Sequence, residues 1–297
     1  MKVFNIICTV IFSGAAAQAQ TALTSKTEFL EKDGRKIAYR SIGKGSPIIL
    51  INRFRGTLDT WDPLFLDELA KNHRVVTFDY SGIGYSTGSL PTNLHDVARD
   101  VKDVAEGLNL KKTAIAGWSY GGLVAQTALV DFPELVTHAI LIGTNPIGKN
   151  ELPLDPLFLE HALKPVNDFN DETVLFFEPK SEESVKAAKA SHDRIFKRID
   201  VSKIPSTMEV FKLYFAGGEA SRAESDPTRA KFIATKKPVL TISGDHDISF
   251  PVENWFKLLR QLSTTEHIVF PHTGHAPQHQ YPELTAEYIT SFLKRTR

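Results

Sequence analysis

The chain has 297 residues, enough to bury one large core, and 35 basic side chains balance 35 acidic ones. With no net charge and no basic stripe along any predicted element, it lacks the electrostatic footprint of a nucleic-acid binder. The length fits one large domain, or one carrying an insertion, better than two unrelated domains.

The first segment, "MKVFNIICTVIFSGAAAQAQ", has one lysine, a short apolar run and then Ala17-Gln18-Ala19. This is the layout of a secretory leader, over 1–19, with cleavage expected after Ala19 and the product secreted or periplasmic. The apolar run is too short to span a bilayer comfortably, so no stable membrane insertion is expected after cleavage. The single cysteine, Cys8, falls inside this leader. A mature chain without cysteine has neither disulfides nor a cysteine metal cluster, and its stability rests on core burial.

Next, "EFLEKDGRKIAYRSIG" alternates apolar and polar residues on both sides of Asp33-Gly34 and predicts a tight hairpin. Short runs at 47–52, 74–80, 112–117, 138–143, 238–244 and 267–270 are apolar nearly throughout. They read as parallel strands covered on both faces. Helix-period segments lie between or after them, at 94–108, 122–130, 254–262 and 283–295. Strand alternating with helix predicts an α/β fold with a mostly parallel sheet and right-handed crossovers. The alternation breaks over 145–236, where helix-like stretches around 156–164, 182–199 and 206–216 carry Phe158, Phe169, Phe176, Phe177, Phe211, Tyr214 and Phe215. A structureless loop of that length is improbable, so this segment is expected to form a helical cap over the strand ends, its aromatics mostly its own core. The core is then 20–144 and 237–297.

"AGWSYGG" (116–122) places Ser119 between the strand "KTAIAG" and the helix "LVAQTALV". A serine on so sharp a strand-to-helix turn has its hydroxyl lifted above the sheet, and residues two before and two after must be small to avoid collision. Gly117 and Gly121 satisfy that need. A serine hydroxyl is a poor nucleophile until a histidine accepts its proton, and the histidine needs a carboxylate to orient it. In this architecture the chain order is serine, acid, histidine, the last two on loops after late strands. "TISGDHDISFP" and "VFPHTGHAPQ" are those loops.

With "FDYSGIGYST" (78–87), the elbow "GWSYGG", the acid loop "GDHDISFP" and the histidine loop "GHAPQHQYPE", the chain resembles the α/β-hydrolase family from about Glu28 to Arg297. Trp before the serine and Gly-Gly after it are similar to the esterase, lactonase and cofactor-free haloperoxidase branches. The resemblance implies Ser119 as nucleophile, His275 as base and Asp247 as acid, with Asp245 the competing carboxylate. The acid position that some relatives use after the strand "HAILIG" holds Asn145, which favours the late loop. Asp79 is implied to organise the Gly82-x-Gly84 turn. Trp118 either lines the acyl pocket beside the serine or packs beneath the cap, near the site in both cases, and pocket lining is favoured. His272, His279 and His246 suit surface or supporting roles. "HTGHAPQH" has the spacing of metal ligands, yet Pro277 opposes a regular helix presenting His275 and His279 together, and no suitably placed glutamate follows. Neither a metal nor a cofactor is expected.

Oxyanion stabilisation needs two backbone N–H donors. Tyr120, directly after the nucleophile, supplies one, and alignment to the family puts the other on Phe54. Where most relatives show His-Gly, this chain has Asn52-Arg53, so a permissive glycine gives way to a bulky cation next to the site. Two readings stay open for Arg53 and Arg55. One of them meets a substrate carboxylate or shapes the pocket entrance. Alternatively both are structural, pairing with acids such as Asp59 or Asp79, or simply solvated.

The expectation is a serine hydrolase cleaving a small to medium carboxylic ester or lactone, its partner a small-molecule substrate. A perhydrolase or haloperoxidase-like activity, or carbon–carbon bond hydrolysis, would need the same triad. A non-enzymatic ligand-binding protein with Arg53 holding an acid ligand is the alternative from another class.

Overall fold

A computed structural model describes residues 20–223 and 225–296; the expected leader at 1–19 lies outside them. The elements in chain order are β1 (Glu28–Lys32), β2 (Arg35–Ile42), β3 (Ser46–Ile51), α1 (Pro63–Ala70), β4 (His73–Phe78), α2 (Leu94–Gly107), β5 (Thr113–Trp118), α3 (Tyr120–Asp131) and β6 (Val136–Ile142). There follow α4 (Pro156–Ala162), α5 (Phe169–Phe176), α6 (Glu182–Ile195), a 3₁₀ turn (Val201–Lys203), α7 (Met208–Ala220) and α8 (Thr228–Ile233). The chain then returns through β7 (Val239–Gly244), α9 (Glu253–Phe256), β8 (Thr265–Phe270), α10 (Pro277–Gln280) and α11 (Pro282–Arg295).

The strands form one sheet in the order β1-β2-β4-β3-β5-β6-β7-β8. Both pairings of β2 are antiparallel and the rest are parallel. The hairpin turns at Asp33 and Gly34, both at positive φ (49° and 75°), the geometry that the Asp-Gly pair predicts. Side-chain alternation assigns each strand residue to one of two cores. Ile49, Ile51, Val76, Phe78, Ile115 and Leu141 pack beneath α2 and α3. Their neighbours Ile48, Leu50, Val75, Ala116, Ile140 and Ile142 pack with the buried faces of α1 and α11. Both faces of the central strands are thus dry, which is why their sequences read as continuous apolar runs.

β8 departs from that expectation. It is the edge strand, mostly half-buried, and Val269 is exposed. The helix expected over 254–262 forms only as the short α9. Between β6 and β7 the chain is helical, and α5 and α8 are elements the periodicity did not single out.

Candidate active site

β5 ends at Trp118 and α3 begins at Tyr120, so Ser119 alone carries the reversal of direction, at φ 59° and ψ −121°. Such a conformation costs a non-glycine residue about 1–3 kcal/mol and persists only where its surroundings impose it. The small neighbours impose it. A Cβ on Gly117 would lie 2.0 Å from the Gly121 carbonyl oxygen, one on Gly121 2.2 Å from the Ile51 oxygen, and one on Gly122 2.3 Å from the Thr144 side chain. The Ser119 N–H donates to the Ile142 carbonyl (2.9 Å) and its carbonyl accepts from the Gly122 N–H (2.8 Å).

The loops after β7 and β8 bring Asp247 and His275 together, with His275 Nδ1 2.8 Å from Asp247 Oδ2 and both side chains buried. The other carboxylate oxygen, Oδ1, accepts the N–H groups of Ser249 (2.8 Å) and Phe250 (2.9 Å). In the neutral imidazole a proton on Nδ1 satisfies this contact and leaves the lone pair on Nε2. Asp245 turns away to His246 (2.6 Å). Trp118 is buried, and its indole N–H donates to the His275 carbonyl (2.8 Å), so the residue before the serine also fixes the histidine's backbone. Its ring packs against Trp61, Phe176 and His279.

Ser119 and His275 line one narrow cavity of about 20 Å³, together with Arg53, Phe54, Arg55, Phe158 and Phe176 among others. The hydrogen bond from His275 to Asp247 is closed, whereas among the described residues the His275 ring bonds to no other side chain. Tyr120 is the first residue of α3, where an N–H has no intrahelical acceptor. Phe54 also lines the cavity, and its ring packs against Phe211, Tyr214 and Phe215.

The two arginines separate clearly. Arg55, at φ 59° and buried, sends Nε to the Pro205 carbonyl (2.7 Å) and Nη2 to that of Pro165 (2.8 Å). Its Nη1 reaches the carbonyls of Ala162 (2.8 Å) and Lys164 (2.7 Å) and the Asn167 side chain (3.0 Å). It fastens the β6–β7 insertion to the β3 loop and among the described residues pairs with no acid; burial lowers its pKa to about 10. Asp59 instead pairs with Arg40 (2.6 Å). Asp79 accepts the N–H groups of Leu58 (2.7 Å) and Tyr85 (2.9 Å), organising the Gly82–Gly84 turn as the resemblance implied. Asn52 holds the loop from below, donating to the Phe78 carbonyl and accepting from Trp61 Nε1, each at 2.7 Å.

Arg53 is half-buried, its guanidinium 4.5 Å from the Phe176 ring centre and 5.2 Å from that of Trp118. A second tie between insertion and core joins Arg194 to both oxygens of Asp62 (2.8 and 2.6 Å). The Asp62 N–H in turn donates to His279 Nε2 (3.3 Å). His279 is buried rather than at the surface, and burial pushes its pKa down to about 4, keeping the ring neutral. His272, at φ 50°, stacks on His246. Among the described residues no cluster of three or more His, Cys, Asp or Glu is placed to hold a metal ion.

Residues 46–282 match the family model of the alpha/beta hydrolase fold. A pimeloyl-[acyl-carrier protein] methyl ester esterase of Pseudoalteromonas atlantica is 25% identical over 272 residues, 86% of this chain and 96% of the relative. An alpha/beta hydrolase fold protein from Chitinophaga pinensis superposes with a TM-score of 0.79 at 24% identity, covering 92% of this chain and 99% of the other. The enol-lactonase of Burkholderia xenovorans LB400 superposes at 0.68 with 18% identity, covering 90% of this chain and all of the other (100%). The matched span runs from the start of β3 to the start of α11 and takes in the elbow and both late loops, so the chain belongs to the α/β hydrolase fold family.

Proposed function

We propose that the protein is a serine hydrolase of carboxylic esters or lactones acting through an acyl-enzyme. The observation that carries this reading is His275, held by Asp247 on Nδ1 with Nε2 left as a base, in the same cavity as the elbow serine. His275 Nε2 takes the Ser119 proton as Oγ attacks the substrate carbonyl. The negative charge moves to the carbonyl oxygen, which the N–H groups of Tyr120 and Phe54 stabilise. As the tetrahedral species collapses, the carbon–oxygen bond to the leaving group breaks and His275 returns the proton to the departing oxygen. Water repeats the sequence on the acyl-enzyme and releases the acid. In free enzymes the contact between base and nucleophile is often long and tightens when substrate arrives, which suits the open Ser119 hydroxyl. The methyl ester esterase relative supports an ester as the substrate class.

The test is intact-mass analysis after exposure to a fluorophosphonate. One adduct on the wild type, absent from Ser119→Ala and much slower to form in His275→Ala, is expected. A folded wild type that stays unlabelled by both a large and a small fluorophosphonate would overturn the proposal.

A further inference from the structure

Sharing Arg53, Arg55, Asn167 and Phe176 with the narrow cavity is a second, larger one of about 300 Å³, between the insertion and the core. That is within the size range of small-molecule pockets. Its walls include Trp118, Phe176, Phe196, Glu172, His192 and His279. Arg53 borders both cavities.

The state of Arg53 in that position is unusual. One donor, Nη1, is used on the Phe54 carbonyl (2.7 Å). Its Nε is buried without a hydrogen-bond partner, and among the described residues no carboxylate forms an ion pair with it. The acid that acts on it electrostatically, Glu172, has its carboxylate on His192 Nδ1 (2.7 Å). Arg55 faces it with a second positive charge, and its donors are committed to the insertion. Burial first and Arg55 second lower the Arg53 pKa to about 10, and the more distant pull of Glu172 offsets them only in part, so no carboxylate in contact balances the cation among the described residues. The Phe176 and Trp118 rings both lie within cation–π range of the guanidinium, and among the described residues the one hydrogen bond that it donates is that of Nη1.

We propose that Arg53 is the receptor for a carboxylate carried by the substrate, so that the protein acts on anionic half-esters or carboxy-substituted lactones rather than on neutral esters. The carboxylate meets the free edge of the guanidinium at the junction of the two cavities. The scissile carbonyl reaches inward to Ser119, and the remaining body of the substrate occupies the larger cavity. This rests on the hydrolase reading for the chemistry and on Arg53 alone for the recognition. A point charge would not replace it, because lysine offers neither the planar fork nor the stacking.

The experiment compares monomethyl esters of succinate, glutarate and adipate with the corresponding dimethyl esters. For at least one chain length, wild-type kcat/KM should favour the half-ester by tenfold or more. In Arg53→Gln that ratio should fall at least tenfold, and Arg53→Lys should restore only part of it, with thermal melts reporting that each variant is folded. A wild type that prefers every neutral diester, or a ratio unchanged in Arg53→Gln, overturns the assignment. Binding is read apart from turnover by calorimetry of the half-esters on Ser119→Ala and on Ser119→Ala/Arg53→Gln. Binding by the first and not by the second upholds Arg53 as the receptor even if Ser119 never reacts with a fluorophosphonate, a result that sinks the hydrolase reading alone. Equal binding by both proteins, or binding by neither, overturns the Arg53 assignment while leaving the hydrolase reading to its own test.

Discussion

Replacing Arg55 by methionine keeps the stem and removes the guanidinium, so it isolates the latch between the β3 loop and the insertion. Five acceptors lose their donor: the carbonyls of Ala162, Lys164, Pro165 and Pro205 and the Asn167 side chain. The bonds to Ala162 and Pro205 are fully buried and the other three are partly buried, where water can take over. At about 1–3 kcal/mol for each buried group left unsatisfied, the two enclosed carbonyls set a loss of about 2–6 kcal/mol. Release of a buried cation offsets part of it, which places the expected destabilisation near ~3 kcal/mol. Arg55 also sits at φ 59°, a conformation glycine adopts without strain. Arg55→Gly should therefore lie about 1 kcal/mol closer to wild type than Arg55→Ala, although both lose every hydrogen bond. Urea unfolding measures all three, and hydrogen exchange should show lost protection over 156–207 before the sheet is affected. If Arg55→Met unfolds within about 0.5 kcal/mol of wild type, the range typical of neutral surface changes, Arg55 is not a latch.

Other outcomes follow from the site and its surroundings. In Asp247→Asn the amide oxygen keeps the Ser249 and Phe250 N–H groups and turns its NH₂ toward His275 Nδ1, enforcing the wrong tautomer; kcat on an ester should fall by about 10⁴ with little change in Tm. Retention of more than a tenth of the activity would remove Asp247 from the mechanism. Ser119→Gly should be more stable than Ser119→Ala by about 1 kcal/mol, because only glycine relaxes at φ 59°; equal melting temperatures would argue that the elbow is unstrained. His279 titrates at about 4 in the fold against an ordinary 6.5, so the unfolded chain takes up the proton first. The stability it contributes is full above pH 6.5 and declines as pH falls toward 4, by up to about 1.4 kcal/mol per pH unit. His279→Gln, which keeps an acceptor for the Asp62 N–H, should flatten that acid slope in urea titrations at pH 7 and pH 5. An identical slope in the variant would show that His279 protonates freely.

The elbow at Ser119 was legible because its constraint is local: seven consecutive residues encode strand, turn and helix, and each glycine answers a contact below 2.5 Å. The central strands were legible because both faces are buried. β8, an edge strand, shares their composition without their burial, and period alone does not distinguish the two cases. The roles of Arg53 and Arg55 were not legible, since every acceptor of Arg55 but one is a main-chain carbonyl between 107 and 150 residues away. A carbonyl leaves no signature in side-chain chemistry. The same holds for Phe176, whose place beside Arg53 depends on α5, a short helix too brief to show a period.

β6 and β7 are hydrogen-bonded neighbours, with Ala139 to Ile142 opposite Val239 to Ile242, although nearly a hundred residues of chain run between them. The two ends of the insertion thus start and finish at one seam of the sheet. The ladder between the strands, and not the insertion, sets the spacing of β5, which leads into Ser119, from the strands whose loops hold Asp247 and His275. The insertion meets the loops of that seam through two main-chain bonds, from the Ala276 N–H to the Phe176 carbonyl (2.9 Å) and from the Asp155 N–H to that of Ile248 (2.8 Å), so what covers the strand ends is also what touches the loops of His275 and Asp247.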